Sequence, residues 1–376
     1  MMLARLLNFF GRTQRCQKHR VVAKRSRRLA VESLEDRSLM AAVADLVAYR
    51  PITEYINYAT HRVPDAIEAD PVSGPGIRIN GDDDNGNLQP DYADSSTSPS
   101  GDNDLVRVDA TGSGSAFSVS WNGPLAVWTT QTKAAAVSNG GLIAAGQSLW
   151  VEYVSQTHTV DASSASLTLT VTDTATATVD TDIVVFHSFQ SVVIAIGGNN
   201  QDPRKFGDRR LGVFIMGGTL YDKGYDVHLY AYGQIQSNGR GAAYNEVVSA
   251  VLNRNVDNVA IFGYSWGGGA TYQLSAGLNA NTTLAPAGYK LQYTAYVDGI
   301  RRSSVSAERR LPIATQYHDN FYQRKDYIIR GNSVNGANNV NVTLTSWGKV
   351  LIHTTIDDNA ALQGLLVNKL MTRVIA

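Results

Sequence analysis

The chain of 376 residues has a single cysteine, Cys16. That excludes an internal disulfide framework and any metal cage built from several thiolates, so stability has to come from packing. No apolar run reaches about 18 residues, which excludes a conventional transmembrane helix. Net charge is missing as well: 33 basic residues balance 33 acidic ones, so no protein-wide field gathers nucleic acid or an anionic membrane. What is present is hydrophobic material, 43% of residues. That is enough for real cores and, at this length, for two globular domains.

The neutrality averages unlike parts. Residues 1–40 hold ten Lys/Arg against Glu32, Glu35 and Asp36, so the remainder, with 23 basic and 30 acidic residues, is acidic by seven. The basic arm runs into Ser38-Leu39-Met40-Ala41-Ala42-Val43-Ala44, short and apolar with an Ala-x-Ala ending of the kind a signal peptidase accepts. The segment 28–40, with Leu34-Glu35-Asp36-Arg37 at its centre, resembles a leader found at the start of many secreted bacterial proteins. Residues 1–44 are therefore expected to be an export leader that carries Cys16 away and delivers the protein to the periplasm, cell surface or exterior. A nucleic-acid-binding tail is the competing reading, but from Arg12 to Arg37, where most of the charges lie, no Phe, Tyr or Trp interleaves them.

Residues 45–103 are rich in Asp, Asn, Ser, Pro and Gly and read as a linker. Within it Asp83, Asn85, Asn87, Gln89 (through its carbonyl), Asp91 and Asp94 fall at positions 1, 3, 5, 7, 9 and 12 of an EF-hand-like loop, a candidate structural calcium site. Leu88 stands where such a loop wants glycine, and Asp94 where it wants a longer Glu. A solvated turn cluster is the alternative.

From 104 to 190 the pattern becomes period two with Val and Thr enrichment, at 105–108, 117–121, 149–154, 167–172 and 183–186, separated by Gly-rich turns. This predicts an all-β, sandwich-like domain. Such a domain binds, spaces or presents, and contact with polysaccharide or a cell surface is one expectation for it. From 191 to 376 apolar strands at 192–196, 227–230, 259–262 and 291–297 alternate with helical stretches such as 243–252, the pattern of a parallel sheet flanked by helices. A last helix is expected near 357–374, with Leu362, Leu365, Leu366, Leu370 and Met371 on one face and Asp357 or Asp358 capping its start.

The third of those strands leads into Gly263-Tyr264-Ser265-Trp266-Gly267, followed by the small residues Gly268, Gly269 and Ala270. A sharp strand-to-helix turn lifts a serine hydroxyl out of the sheet, and the flanking glycines remove β-carbons that would collide there. In a chain with 33 glycines the pattern alone means little; the strand before it and the helix after it make Ser265 a candidate nucleophile. A serine hydroxyl needs a base, which needs an orienting carboxylate. Only His318 and His353 follow Ser265. His353, in a loop before the last helix, suits a general base better than His318 at a strand end. For the acid, Asp298 directly follows a strand; Asp319 and Asp326 are alternatives. The backbone N–H of Trp266 would supply one oxyanion donor, and Gly198 or Asn199, in the glycine turn after the strand at 192–196, the second.

With these residues in view, the half of the chain from 191 resembles the α/β-hydrolase superfamily. It is most similar to small bacterial members that pair the Gly-x-Ser-x-Gly elbow with Val297-Asp298, Tyr322-Gln323 and His353-Thr354. The resemblance implies a Ser265-Asp298-His353 triad, no catalytic cofactor, and esterase, lipase or thioesterase-like action on a small-molecule or lipid ester. Many members carry the acid one strand later, which favours Asp319. A binding or surface protein whose hydrolase fold has lost catalysis is the other expectation, because fold alone does not confer activity.

Overall fold

The computed structural model describes residues 42–49, 66–68, 77–79, 105–114, 117–130, 132–153, 165–173, 177–203, 211–221, 223, 225–252, 256–300 and 307–375. The leader as far as residue 41 and all six candidate calcium ligands, Asp83 to Asp94, lie outside the described residues.

Two five-stranded sheets come first. Their strands are β1 (Val43–Tyr49), β2 (Ala66–Glu68), β3 (Ile77–Ile79), β4 (Leu105–Ser113), β5 (Phe117–Asn122), β6 (Leu125–Trp128), β7 (Gly141–Ile143), β8 (Ser148–Tyr153), β9 (Ala165–Thr172) and β10 (Val179–Ser188). The orders are β2-β1-β4-β8-β6 and β3-β10-β9-β5-β7. Every pair is antiparallel except β3 with β10. Alternation drives the folding here: Ala165, Leu167, Leu169 and Val171 of β9 are buried while the intervening Ser and Thr residues are half-exposed. Leu46, Val108 and Val151 of the first sheet share one core with Phe117, Leu169 and Phe186 of the second. β1 lies in the stretch read as leader end and linker, yet it pairs with β4 from Val43 to Ala48.

The second half builds one parallel sheet. Its elements are β11 (Ser191–Gly197), α1 (Gly212–Tyr221), β12 (Asp226–Ala231), α2 (Ala242–Leu252), β13 (Asn258–Tyr264), α3 (Trp266–Asn279), β14 (Lys290–Val297), β15 (Tyr317–Tyr322), β16 (Asn338–Asn341) and α4 (Ala360–Met371). The order is β12-β11-β13-β14-β15-β16 and all five pairings are parallel. β11 and β13 are buried from end to end, which is why they read as continuous apolar runs. Val193 and Ala195 pack with Phe214 of α1 and Leu366 of α4, whereas Val192, Ile194 and Ile196 pack with Val247 of α2 and Leu274 of α3. Helices therefore cover both faces.

The last helix departs from expectation at both ends. Asn359 caps it, accepting the N–H groups of Ala361 and Leu362. Asp357 and Asp358 precede the cap; Asp358 instead accepts the N–H of Gly212 at the start of α1. Leu362, Leu366 and Leu370 are buried, Leu365 is partly buried and Met371 is exposed, because the buried stripe continues at four-residue spacing to Val374 and leaves Met371 off its face.

Candidate active site

Ser265 is the single residue between β13 and α3, with φ 56° and ψ −120°. For a non-glycine residue this is a sparsely populated conformation that surrounding contacts must hold. They do: its N–H donates to the Val297 carbonyl (3.0 Å), and its carbonyl accepts from Gly268 (3.0 Å) and Ile300 (3.1 Å). A Cβ on Gly263 would overlap the Gly267 carbonyl, and one on Gly267 the Ile196 carbonyl. The bend therefore needs both flanking glycines.

His353 begins a 3-10 turn, His353–Thr355, ahead of α4. Its Nε2 lies 2.8 Å from Ser265 Oγ, and its Nδ1 lies 2.7 Å from Asp298 Oδ2. A carboxylate facing Nδ1 favours the tautomer protonated there, which leaves Nε2 to accept the serine proton. The Tyr264 hydroxyl donates to the His353 carbonyl at 2.6 Å, and its ring stacks on the imidazole with centroids 5.2 Å apart. Ser265, His353 and Asp298 are all buried.

Asp298 follows β14 and also has positive φ, 44°; its N–H donates to Phe321 of β15. Four donors converge on its carboxylate. Oδ1 accepts the N–H groups of Gln323 (3.2 Å) and Gly331 (2.7 Å), and Oδ2 accepts Gln323 Nε2 (3.0 Å) beside His353. Such a set satisfies a buried carboxylate.

The alternatives are engaged elsewhere. Asp319 accepts from the Tyr293 hydroxyl, Lys369 Nζ and Asn338. Asp326 accepts the N–H groups of Ile328 and Ile329 in a surface turn. His318 shares a hydrogen bond with Thr294 Oγ1 and lies edge-on to Tyr296; burial pushes its pKa down to about 4. Sequence spacing left these residues as rivals, and the geometry brings Ser265, His353 and Asp298 together.

Trp266 opens α3, so its N–H belongs to the turn whose donors have no intrahelical acceptor, at the positive end of the helix dipole. Gly198 lies directly against the serine: a Cβ on it would sit 2.8 Å from Ser265 Cβ. Its N–H, however, donates to Gln201 Oε1 at 2.8 Å. Of the two residues expected to supply a second oxyanion donor, Gly198 is thereby committed to closing its own turn, and the exposed Asn199 remains.

Gln201 Nε2 in turn donates to Asp357 Oδ2 at 3.1 Å, tying the glycine turn to the segment that carries His353. Neither residue was expected at the site. They are 156 positions apart, and no local spacing announces the pair. Tyr264 had a weak signal, as an aromatic inside the elbow itself.

Burial pushes the Asp357 carboxyl up to about 7, with the Gln201 hydrogen bond opposing and the Asp358 charge adding to the rise. The folded state therefore keeps a proton that the unfolded chain releases near the ordinary carboxyl value of 3.8. This group's contribution to stability is complete below that pH and is lost as pH rises through about 7. Asp357→Asn, neutral throughout and able to keep the Gln201 bond, should show a flatter stability profile. Urea unfolding at pH values from about 4 to 8 should find the variant gaining on the wild type as pH rises.

Among the described residues one group with metal-ligand chemistry lies outside the site: Asp226, His228 and Glu246. No protein-family model and no curated protein matches the chain.

Proposed function

We propose that the protein is an exported α/β-hydrolase-type serine hydrolase that cleaves a carboxylic ester or thioester through an acyl-enzyme. The observation that carries the reading is the unbroken relay Ser265 Oγ–His353 Nε2–His353 Nδ1–Asp298 Oδ2, at 2.8 and 2.7 Å, with its serine on a strand-to-helix bend. The parallel sheet with helices on both faces supports it further.

In this mechanism His353 Nε2 takes the hydroxyl proton as Ser265 Oγ attacks the acyl carbon. The negative charge that develops on the carbonyl oxygen is met by the N–H of Trp266 and by that of Asn199. Asp298 stabilises the imidazolium. Collapse expels the alcohol or thiol, which collects the proton from His353 and leaves an acyl-Ser265 ester. Water then adds to that ester with His353 as base, releasing the acid and restoring the serine. The triad needs no metal ligand. Any calcium held by Asp83, Asn85, Asn87, Gln89, Asp91 and Asp94 would be structural.

A fluorophosphonate probe tests the reading because it reports an activated serine without requiring the natural substrate. The wild-type chain should label at one site, identified as Ser265 by peptide mapping, and Ser265→Ala should not label. Equal labelling of the two proteins rejects the nucleophile; no labelling of either favours a binding protein that has lost catalysis.

A further inference from the structure

We propose that Asp226, His228 and Glu246 form a binding site for a divalent first-row transition cation, matched best by Zn2+, that fastens the edge of the parallel sheet to α2. Strand periodicity sets up the site. Asp226, His228 and Tyr230 alternate with Val227 and Leu229 along β12, and the latter two join the core beneath α1 and α4. Tyr230 packs with α2 residues, so Asp226 and His228 project to the face that α2 covers. Glu246 meets them from α2.

Asp226 and His228 are buried, and the Glu246 side chain is 18% exposed. Asp226 is a buried carboxylate and Glu246 a partly exposed one beside it, and a cation between them would offset their like charge. One ring nitrogen faces both: His228 Nε2 lies 3.0 Å from Asp226 Oδ1 and 3.3 Å from Glu246 Oε1.

A metal ion serves all three atoms at once. Ligands at roughly 2.0–2.1 Å in a tetrahedron stand roughly 3.3 Å from each other, close to the two separations here, and the three donor atoms lie within 4.8 Å of one another. One imidazole and two carboxylates suit Zn2+ and its neighbours better than Ca2+ or Mg2+, which take oxygen sets. β12 is the edge strand, and the partial exposure of Glu246 leaves a way in for the ion and for a water at the fourth position. None of the three residues belongs to the triad, so the proposal stands apart from the assignment of catalysis.

The test uses the full chain stripped with chelator and titrated with Zn2+ alone by calorimetry, alongside thermal unfolding. One equivalent should bind, and free Zn2+ a hundredfold above Kd should raise the unfolding midpoint by about 5 °C or more. His228→Gln and Glu246→Gln should each weaken binding at least ~10-fold and remove the midpoint shift. Glu246→Gln lies on a partly exposed helix face, so it tests the site even where the buried His228 variant folds poorly; circular dichroism confirms that the compared proteins are folded. Absence of binding by the wild type, or wild-type affinity in either folded variant, overturns the proposal.

Discussion

His353→Ala is expected to lower kcat on an activated acyl ester by about 10⁶-fold, as Ser265→Ala should, while the double variant falls no further. The three values coincide because serine and histidine act as one device. Without the imidazole the hydroxyl keeps its proton, and without the hydroxyl the imidazole has nothing to activate. The burial of both residues sharpens the effect, since bulk water has little access to the 2.8 Å gap and cannot stand in for the base. A residual rate about 10³–10⁴ above the uncatalysed reaction should survive, supplied by the oxyanion donors and by substrate positioning. Single-turnover kinetics on the three variants provides the check. A His353→Ala protein within tenfold of the wild type would remove His353 from the mechanism; losses that multiply in the double variant would show two independent groups.

Asp298→Asn should cost about 10⁴-fold in kcat with KM little changed, and the local hydrogen bonds say why. The backbone N–H groups of Gln323 and Gly331 both point at Oδ1, so the asparagine amide oxygen settles there. Its NH2 group then takes the place of Oδ2, facing His353 Nδ1 as a donor. The ring must accept, which moves its proton to Nε2 and turns the general base into a donor toward Ser265 Oγ. Asp298→Ala leaves the Gln323 and Gly331 donors without their acceptor and should also destabilise the fold, by about 1–3 kcal/mol for each buried group left unsatisfied. Comparing urea midpoints of the two variants separates the tautomer effect from the structural one.

Much of the second half was legible in the sequence because its signals are local. β11 and β13 are apolar over most of their length, and the bend at Ser265 is written in the glycines that flank it. The acid was harder. Asp298 and Asp319 are both carboxylates on or beside neighbouring strands, and the choice rests on long-range hydrogen bonds: Lys369 and Tyr293 claim one, Gly331 and Gln323 the other. The Gln201–Asp357 tie is wholly tertiary and left no trace in spacing. Among the first strands, β9 announced itself by strict alternation, whereas β6 and β7, four and three residues long, are too short to show a period. β1 was obscured because Val43-Ala44 also completes a cleavage-like motif, so one short string served two readings.

The span of the relay has a consequence for how the molecule is made. His353 meets Ser265 across 88 residues and Asp298 across 55, and between them the chain must lay β14, β15 and β16 side by side. Loop closure over such separations slows folding relative to local contacts. During synthesis the serine and its bend leave the ribosome well before the histidine does. The complete relay therefore arrives late, when the His353 turn docks against Tyr264. In a refolding experiment, recovery of probe labelling would mark the closing of the last long loop, after the spectroscopic signal of the sheet and helices has returned.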